Sequence, residues 1–156
     1  MSYHALMGLV ADELVCFAVH VASRELDHAY RRELLKLGLT YPQYMTMLLL
    51  WDRDERSVKD LCAALRFDSG TLSPLLKRLE ASGLVNRERS HADERSVLIR
   101  LTPKGRRLQD QGTHVVKRVF DALNYTDADA ENLHGQLRKL ISALDATATE
   151  SDQAKP

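Results

Sequence analysis

Cys16 and His20 stand one helical turn apart in the stretch Asp12-Glu13-Leu14-Val15-Cys16-Phe17-Ala18-Val19-His20. Residues i and i+4 share a helix face, so the imidazole can donate to the sulfur or, when protonated, stabilise a thiolate. Cys16 is therefore a candidate nucleophile and His20 a candidate activator. Taken alone, a cysteine beside a histidine on an apolar helix is more often packing than chemistry. The other thiol, Cys62, shares an apolar stripe with Val58, Leu61 and Leu65, the ordinary setting of a small core cysteine. A second set of residues suits phosphates and base edges. Ser69, Thr71 and Ser73 are hydroxyls near a helix start, and Lys77 and Arg78 lie off the leucine stripe of the same helix. Arg87, Arg89 and Arg95 follow on a hairpin, with Asp93 placed to orient Arg95. His91, Asp93 and Glu94 also cluster, but on a polar turn where solvation explains them better than a metal. There is no CxxC pair and no Cys/His zinc spacing, so neither a metal nor another cofactor is expected.

The elements that must position these groups are written in capping signals and periodicity. Thr40-Tyr41-Pro42-Gln43 has the capping-box pattern with proline in the first turn, and opens an apolar stretch through Met45, Leu48, Leu49 and Trp51. Ser57-Val58-Lys59-Asp60 starts a second helix carrying Leu61, Cys62 and Leu65. Asp68-Ser69-Gly70-Thr71 starts a third, with Leu72, Leu75, Leu76 and Leu79 on one face and Gly83 as its stop. Pro74 falls near its start and predicts slightly irregular first turns. The period then changes to two. Leu84 to Arg89 and Arg95 to Leu101 are short strands, joined by the polar turn Ser90 to Glu94. Thr102-Pro103 restarts a helix through Leu108, Val115, Val116, Val119 and Phe120, and a last helix begins near Thr126 and carries Leu133, Leu137, Leu140, Ile141 and Leu144.

This order predicts a mainly α (α+β) fold. Its centre is a winged helix-turn-helix with a two-stranded wing, about residues 42–101. Helical arms flank it at about 5–38 and 103–146, within a single domain over 1–146, followed by a polar, frayed tail over 147–156. A chain of 156 residues can bury roughly 70% of its unfolded surface without disulfides. Leu14 to Val19, the longest strictly apolar run near the N-terminus, is six residues, against the ~18 of a membrane span, and no basic leader precedes it. A cytoplasmic protein with reduced thiols is expected.

The formal net charge is zero, which argues against a nucleic-acid partner until the charges are placed. Between Arg56 and Arg107 twelve basic residues face six acidic ones, while the rest of the chain has ten basic and sixteen acidic. Neutrality is thus a cancellation between a basic centre and acidic ends. The basic centre coincides with the helix-turn-helix and hairpin, and double-stranded DNA is the expected partner.

Several stretches resemble the organic hydroperoxide resistance regulators, a branch of the MarR-family winged-helix repressors. They are Leu14-Val15-Cys16-Phe17, Ala22-Ser23-Arg24-Glu25, Leu39-Thr40-Tyr41-Pro42-Gln43-Tyr44, the run from Asp68 to Glu80, and Ala92-Asp93-Glu94-Arg95-Ser96-Val97. The resemblance covers about residues 10 to 108. It implies a homodimer with interlocking terminal helices, a peroxide-sensing thiol at Cys16, and Tyr30 and Tyr41 hydrogen-bonded to that thiol from the partner subunit. Tyr30 is fourteen residues from Cys16, roughly 21 Å along a straight helix at about 1.5 Å per residue. Either the helix breaks or a partner supplies the tyrosine. Many members of the branch have a tyrosine where this chain has His20. Some carry a resolving cysteine in the penultimate helix, where this chain has none, so it resembles the one-cysteine type whose sulfenic acid is capped by an external small thiol or over-oxidised.

The resulting expectation is a repressor, not an enzyme, that leaves an inverted-repeat operator when an organic hydroperoxide oxidises Cys16. Two alternatives stay open: release by a small aromatic or phenolic ligand with Cys16 inert, and a thiol peroxidase using Cys16 catalytically.

Overall fold

The computed structural model describes residues 14–89 and 96–153, with side chains described as far as residue 147. Asp93, Arg95, the turn between the wing strands and the beginning of the N-terminal arm lie outside the described residues. The chain forms two compact units, residues 1–116 and 117–156.

In the first unit, α1 is one unbroken helix over Val15–Leu35. It stops where Gly38 takes a positive φ of 67° and Leu39 N–H returns to the Leu34 carbonyl. That reversal delivers α2, Tyr41–Asp52, whose start is capped as its sequence predicts: the Gln43 side-chain oxygen accepts from Thr40 N–H at 2.8 Å. Helix α2 is apolar nearly all round. Its buried face is Tyr44, Met47, Leu50 and Trp51, while Met45, Leu48 and Leu49 are half-buried. Helix α3, Val58–Leu65, has the reciprocal cap between Ser57 and Asp60. It ends on Arg66, held in the left-handed region at φ 55°, and a short turn leads to α4, Ser69–Ala81. These two helices and their turn are the expected helix-turn-helix.

Pro74 lies inside α4, and the helix runs through it without interruption from Ser69 to Ala81. The end matches the sequence signal: Gly83 at φ 70° lets Leu84 N–H reach the Leu79 carbonyl, 3.0 Å away. Strands β2, Val85–Arg89, and β3, Val97–Leu101, pair antiparallel with Val85 opposite Leu101 and Arg89 opposite Val97. The sheet has three strands, not two. A two-residue strand β1, Arg56–Ser57, pairs antiparallel with β3, giving the order β1-β3-β2. Two residues are too few to show an alternation, so this pairing leaves no local mark in the sequence.

Leu34, Tyr44, Met47, Leu50, Leu61, Leu72, Leu76, Leu79, Val85 and Ile99 are fully enclosed and form the core beneath the helix-turn-helix. The helix predicted after Thr102 is two: α5, Pro103–Arg107, capped by the Thr102 hydroxyl, and α6, Gln109–Ala122. Helix α6 continues into the second unit, where Asn124 at φ 51° ends the turn before α7, Asp127–Gln153. Helix α7 extends past the predicted end at 146, so residues 147–153 are helix rather than frayed tail. Among the described residues no helix is long and apolar enough to cross a membrane.

Candidate nucleic-acid interface and thiol site

The Asp68 side chain determines how α4 begins. Its carboxylate accepts from Thr71 N–H at 2.7 Å and from the Thr71 hydroxyl at 3.1 Å. The Thr71 backbone bond above all, then its hydroxyl, holds the Asp68 carboxyl below the usual carboxylate range. Ser69 and Thr71 are exposed on the first turn and Ser73 is half-buried. Lys77 and Arg78 project from the exposed side of the helix, opposite the buried Leu72, Leu76 and Leu79. Arg89 is exposed and Arg87 half-buried on β2. The helix start, its two cations and the strand cations are thus all available at the surface. Asp93 and Arg95 lie outside the described residues, as does the His91, Asp93 and Glu94 cluster. Among the described residues no group of three or more His, Cys, Asp and Glu could hold a metal.

Not every cation of the basic centre faces outward for a ligand. Arg100 pairs with Glu55 at 2.8 Å and with Glu88 at 3.4 Å, bracing β3 against its neighbours. Arg106 pairs with Asp54, whose other oxygen accepts from Leu101 N–H at 2.9 Å. Arg56 donates to the Leu49 carbonyl and pairs with Asp52, and Lys104 donates to the Ser82 carbonyl. These four hold the winged helix together. Among the described residues no ion pair engages Lys77, Arg78, Arg87 or Arg89. Charge counting along the sequence does not make that distinction.

The thiol groups fall in two places. Cys16 and His20 are exposed one turn apart near the start of α1, with no hydrogen bond between them. Tyr30 is buried near the other end of the same helix and meets Tyr41 of α2, ring centroids 5.0 Å apart. Because α1 does not break, Tyr30 stays roughly 21 Å along the helix from Cys16 of its own chain. The structure therefore joins the two tyrosines with each other and not with the thiol. Desolvation, reinforced by Tyr41 and Tyr44, pushes the Tyr30 phenol up to about 12. Burial, with Asp27 nearby, raises Tyr41 as well. Both are neutral O–H donors at physiological pH. Beside Tyr41 lies a groove of about 400 Å³, lined by Asp27, Arg31, Leu34, Leu35, Leu39, Thr40 and Pro42.

In the sequence Tyr44 stands only as a motif member and Trp51 as an apolar position. In the fold they extend the tyrosine pair: Tyr44 is 6.2 Å from Tyr30, and Trp51 is 6.2 Å from Tyr44. Their spacing of seven residues on one helix is the signal that places them on a common face.

Residues 29–111 match the family of transcriptional regulators described as SarA/Rot. The organic hydroperoxide resistance transcriptional regulator of Bacillus subtilis is 40% identical over 133 residues, covering 85% of this chain and 90% of that protein. The transcriptional regulator MgrA of Staphylococcus aureus is 36% identical over 136 residues, covering 86% of this chain and 92% of its own length. Among solved structures, AbfR of Staphylococcus epidermidis superposes with a TM-score of 0.73 at 31% identity, over 85% of this chain and 91% of that one. Overoxidized AbfR bound to DNA superposes with a TM-score of 0.71 at 30% identity, over 83% of this chain and 91% of that one. With an exposed, cation-bearing helix after the turn and a sheet beside it, this chain belongs to the SarA/Rot and MarR family of winged-helix, DNA-binding transcriptional regulators.

Proposed function

We propose that the protein is a cytoplasmic homodimeric repressor that releases its operator when an organic hydroperoxide oxidises Cys16. The unbroken α1 carries this reading. It carries an exposed thiol at one end and Tyr30 near the other, where Tyr30 meets Tyr41 of α2; the two phenols are out of the thiol's reach within one chain, so a complete site needs a second copy. The groove beside Tyr41 is open to receive the start of a second copy's α1. Exposed apolar side chains on α1, such as Phe17, and on α7, such as Leu144, supply surface that a dimer would bury.

In the proposed reaction the Cys16 thiolate attacks the terminal oxygen of the hydroperoxide and the O–O bond breaks. Sulfur loses two electrons and becomes a sulfenic acid; the alkoxide takes a proton and leaves as an alcohol. A small thiol then condenses with the sulfenic acid to give a mixed disulfide and water. Tyr30 and Tyr41 of the facing copy donate hydrogen bonds that favour the thiolate, and His20, one turn from the sulfur, adds positive charge when protonated. The larger, polar oxidation product cannot keep those bonds. The helices shift, and the two recognition helices lose the spacing that fits half-sites about one helical turn (~34 Å) apart. Ser69, Thr71, Ser73, Lys77, Arg78, Arg87 and Arg89, with Asp93 and Arg95 at the wing tip, form the DNA-facing set.

The groove also gives room for a small aromatic ligand, the basis of the second reading. Cys16→Ser separates the two. The variant should bind operator within about twofold of wild type and stay bound under cumene hydroperoxide that strips the wild type. Release of Cys16→Ser by the peroxide would rule out the redox reading. Mass spectrometry should find one oxidation event per chain, on Cys16; many turnovers with a thiol reductant would instead indicate a peroxidase.

A further inference from the structure

The aromatic ladder of the first unit ends on two backbone carbonyls. Tyr41, Tyr30, Tyr44 and Trp51 follow one another with centroids 5.0, 6.2 and 6.2 Å apart, the last three of them buried. The Tyr44 hydroxyl donates to the Gly112 carbonyl at 2.9 Å, and the Trp51 indole N–H donates to the Gly105 carbonyl at 2.9 Å. Gly105 belongs to α5 and Gly112 to α6, so the two bonds straddle the break between those helices. A carbonyl in the last turn of α5 lacks a full helical partner, and the indole fills that place. The Gln109 side chain closes the clamp from the other side by donating to the Trp51 carbonyl at 3.5 Å. The fit is tight enough to demand glycine: a Cβ on Gly112 would sit 2.2 Å from the Trp51 ring.

The break between α5 and α6 is where the winged helix, leaving β3, joins the long helix that leads into the second unit. A ladder that touches the tyrosine pair at one end and this joint at the other is placed to report on one to the other. We propose that Tyr44 and Trp51 are positioning residues that couple the Tyr30–Tyr41 pair to the α5/α6 joint and, through the bond from Lys104 of α5 to the Ser82 carbonyl at the end of α4, to the recognition helix α4. Displacing Tyr30 tilts its neighbour Tyr44, and the Tyr44–Gly112 bond passes that tilt on to the joint. This inference rests on the redox reading above for its trigger, but the coupling itself is a property of the ladder.

The test uses the full-length chain and an inverted-repeat duplex selected from a random pool by the reduced wild-type protein. Tyr44→Phe keeps the ring and removes the hydroxyl that donates to the Gly112 carbonyl. It should bind the duplex within about threefold of wild type, and cumene hydroperoxide should oxidise its Cys16 at the wild-type rate by mass spectrometry. Its release should fall short, with the ratio of oxidised to reduced Kd at least fivefold smaller than in wild type. Full wild-type release from an oxidised Tyr44→Phe protein overturns the proposal. A wild type whose Cys16 is not oxidised overturns the redox reading instead. The coupling is then decided without any oxidant by a double-mutant cycle between Tyr41→Ala and Tyr44→Phe on duplex affinity of the reduced protein. Effects that depart from multiplication by more than threefold support the ladder, and multiplicative effects overturn it.

Discussion

Lys77 and Arg100 are both cations of the winged helix, yet the structure sets them in different surroundings. Lys77 has no ion-pair partner among the described residues, whereas Arg100 is engaged by Glu55 and Glu88. Replacing Lys77 by alanine should weaken DNA binding evenly across sequences and lower the log–log salt slope by about one unit, measured by titration at several salt concentrations. Replacing Arg100 should leave that slope unchanged and cost about 0.2–1 kcal/mol of stability, since its pairs are partly exposed. Equal slopes for the two variants would contradict this division. Such roles are not legible in sequence, because the partners lie far along the chain: Glu55 meets Arg100 only once β1 and β3 have paired. The residue types of the site were legible, and so was the alternation that buries Ile99 and Leu101.

Helix starts are the elements most completely announced by the sequence, because a cap spans four residues and needs no tertiary partner. Ser57, Asp68, Thr102 and Thr126 all serve as caps. What escaped was non-local: the two-residue β1, the division of one predicted helix into α5 and α6, and the run of α7 to Gln153. The caps have a consequence for acid stability. A hydrogen bond from the Ser57 hydroxyl depresses the Asp60 carboxyl, the Thr71 backbone depresses Asp68, and the Thr126 hydroxyl depresses Asp129. Each folded value lies below the unfolded one, so each contribution is present above an unfolded pKa of about 3.9 and is lost as pH falls through the folded value. Thermal melts should therefore show a falling midpoint below about pH 4. The triple variant Asp60→Asn, Asp68→Asn, Asp129→Asn, which caps without titrating, should have a shallower acid limb. An unchanged limb would place the acid sensitivity elsewhere.

At the scale of the whole molecule, the zero net charge conceals a working division. Four cations of the basic centre hold the wing and helices together, while Lys77 and Arg78 on α4 and Arg87 and Arg89 on β2 lie at the surface without an ion pair among the described residues. The exposed apolar residues of α1 fall on more than one side of it: Val15 and Phe17, two positions apart, point to opposite faces. No flat neighbour covers both, which fits an interlocked partner better than a face-to-face one. The length of α1 also gives the proposed sensor a genetic signature. If each site takes its sulfur from one chain and its phenols from the other, two differently crippled proteins can rescue each other. In a mixed dimer of Cys16→Ser with a Tyr30→Ala, Tyr41→Ala chain, one site receives both defects and the other is whole. Each parent alone should be insensitive to hydroperoxide, while the mixture should regain sensitivity in its mixed dimers, read as peroxide-dependent loss of the DNA-bound band. A sensor that is confined to one chain would show no such recovery.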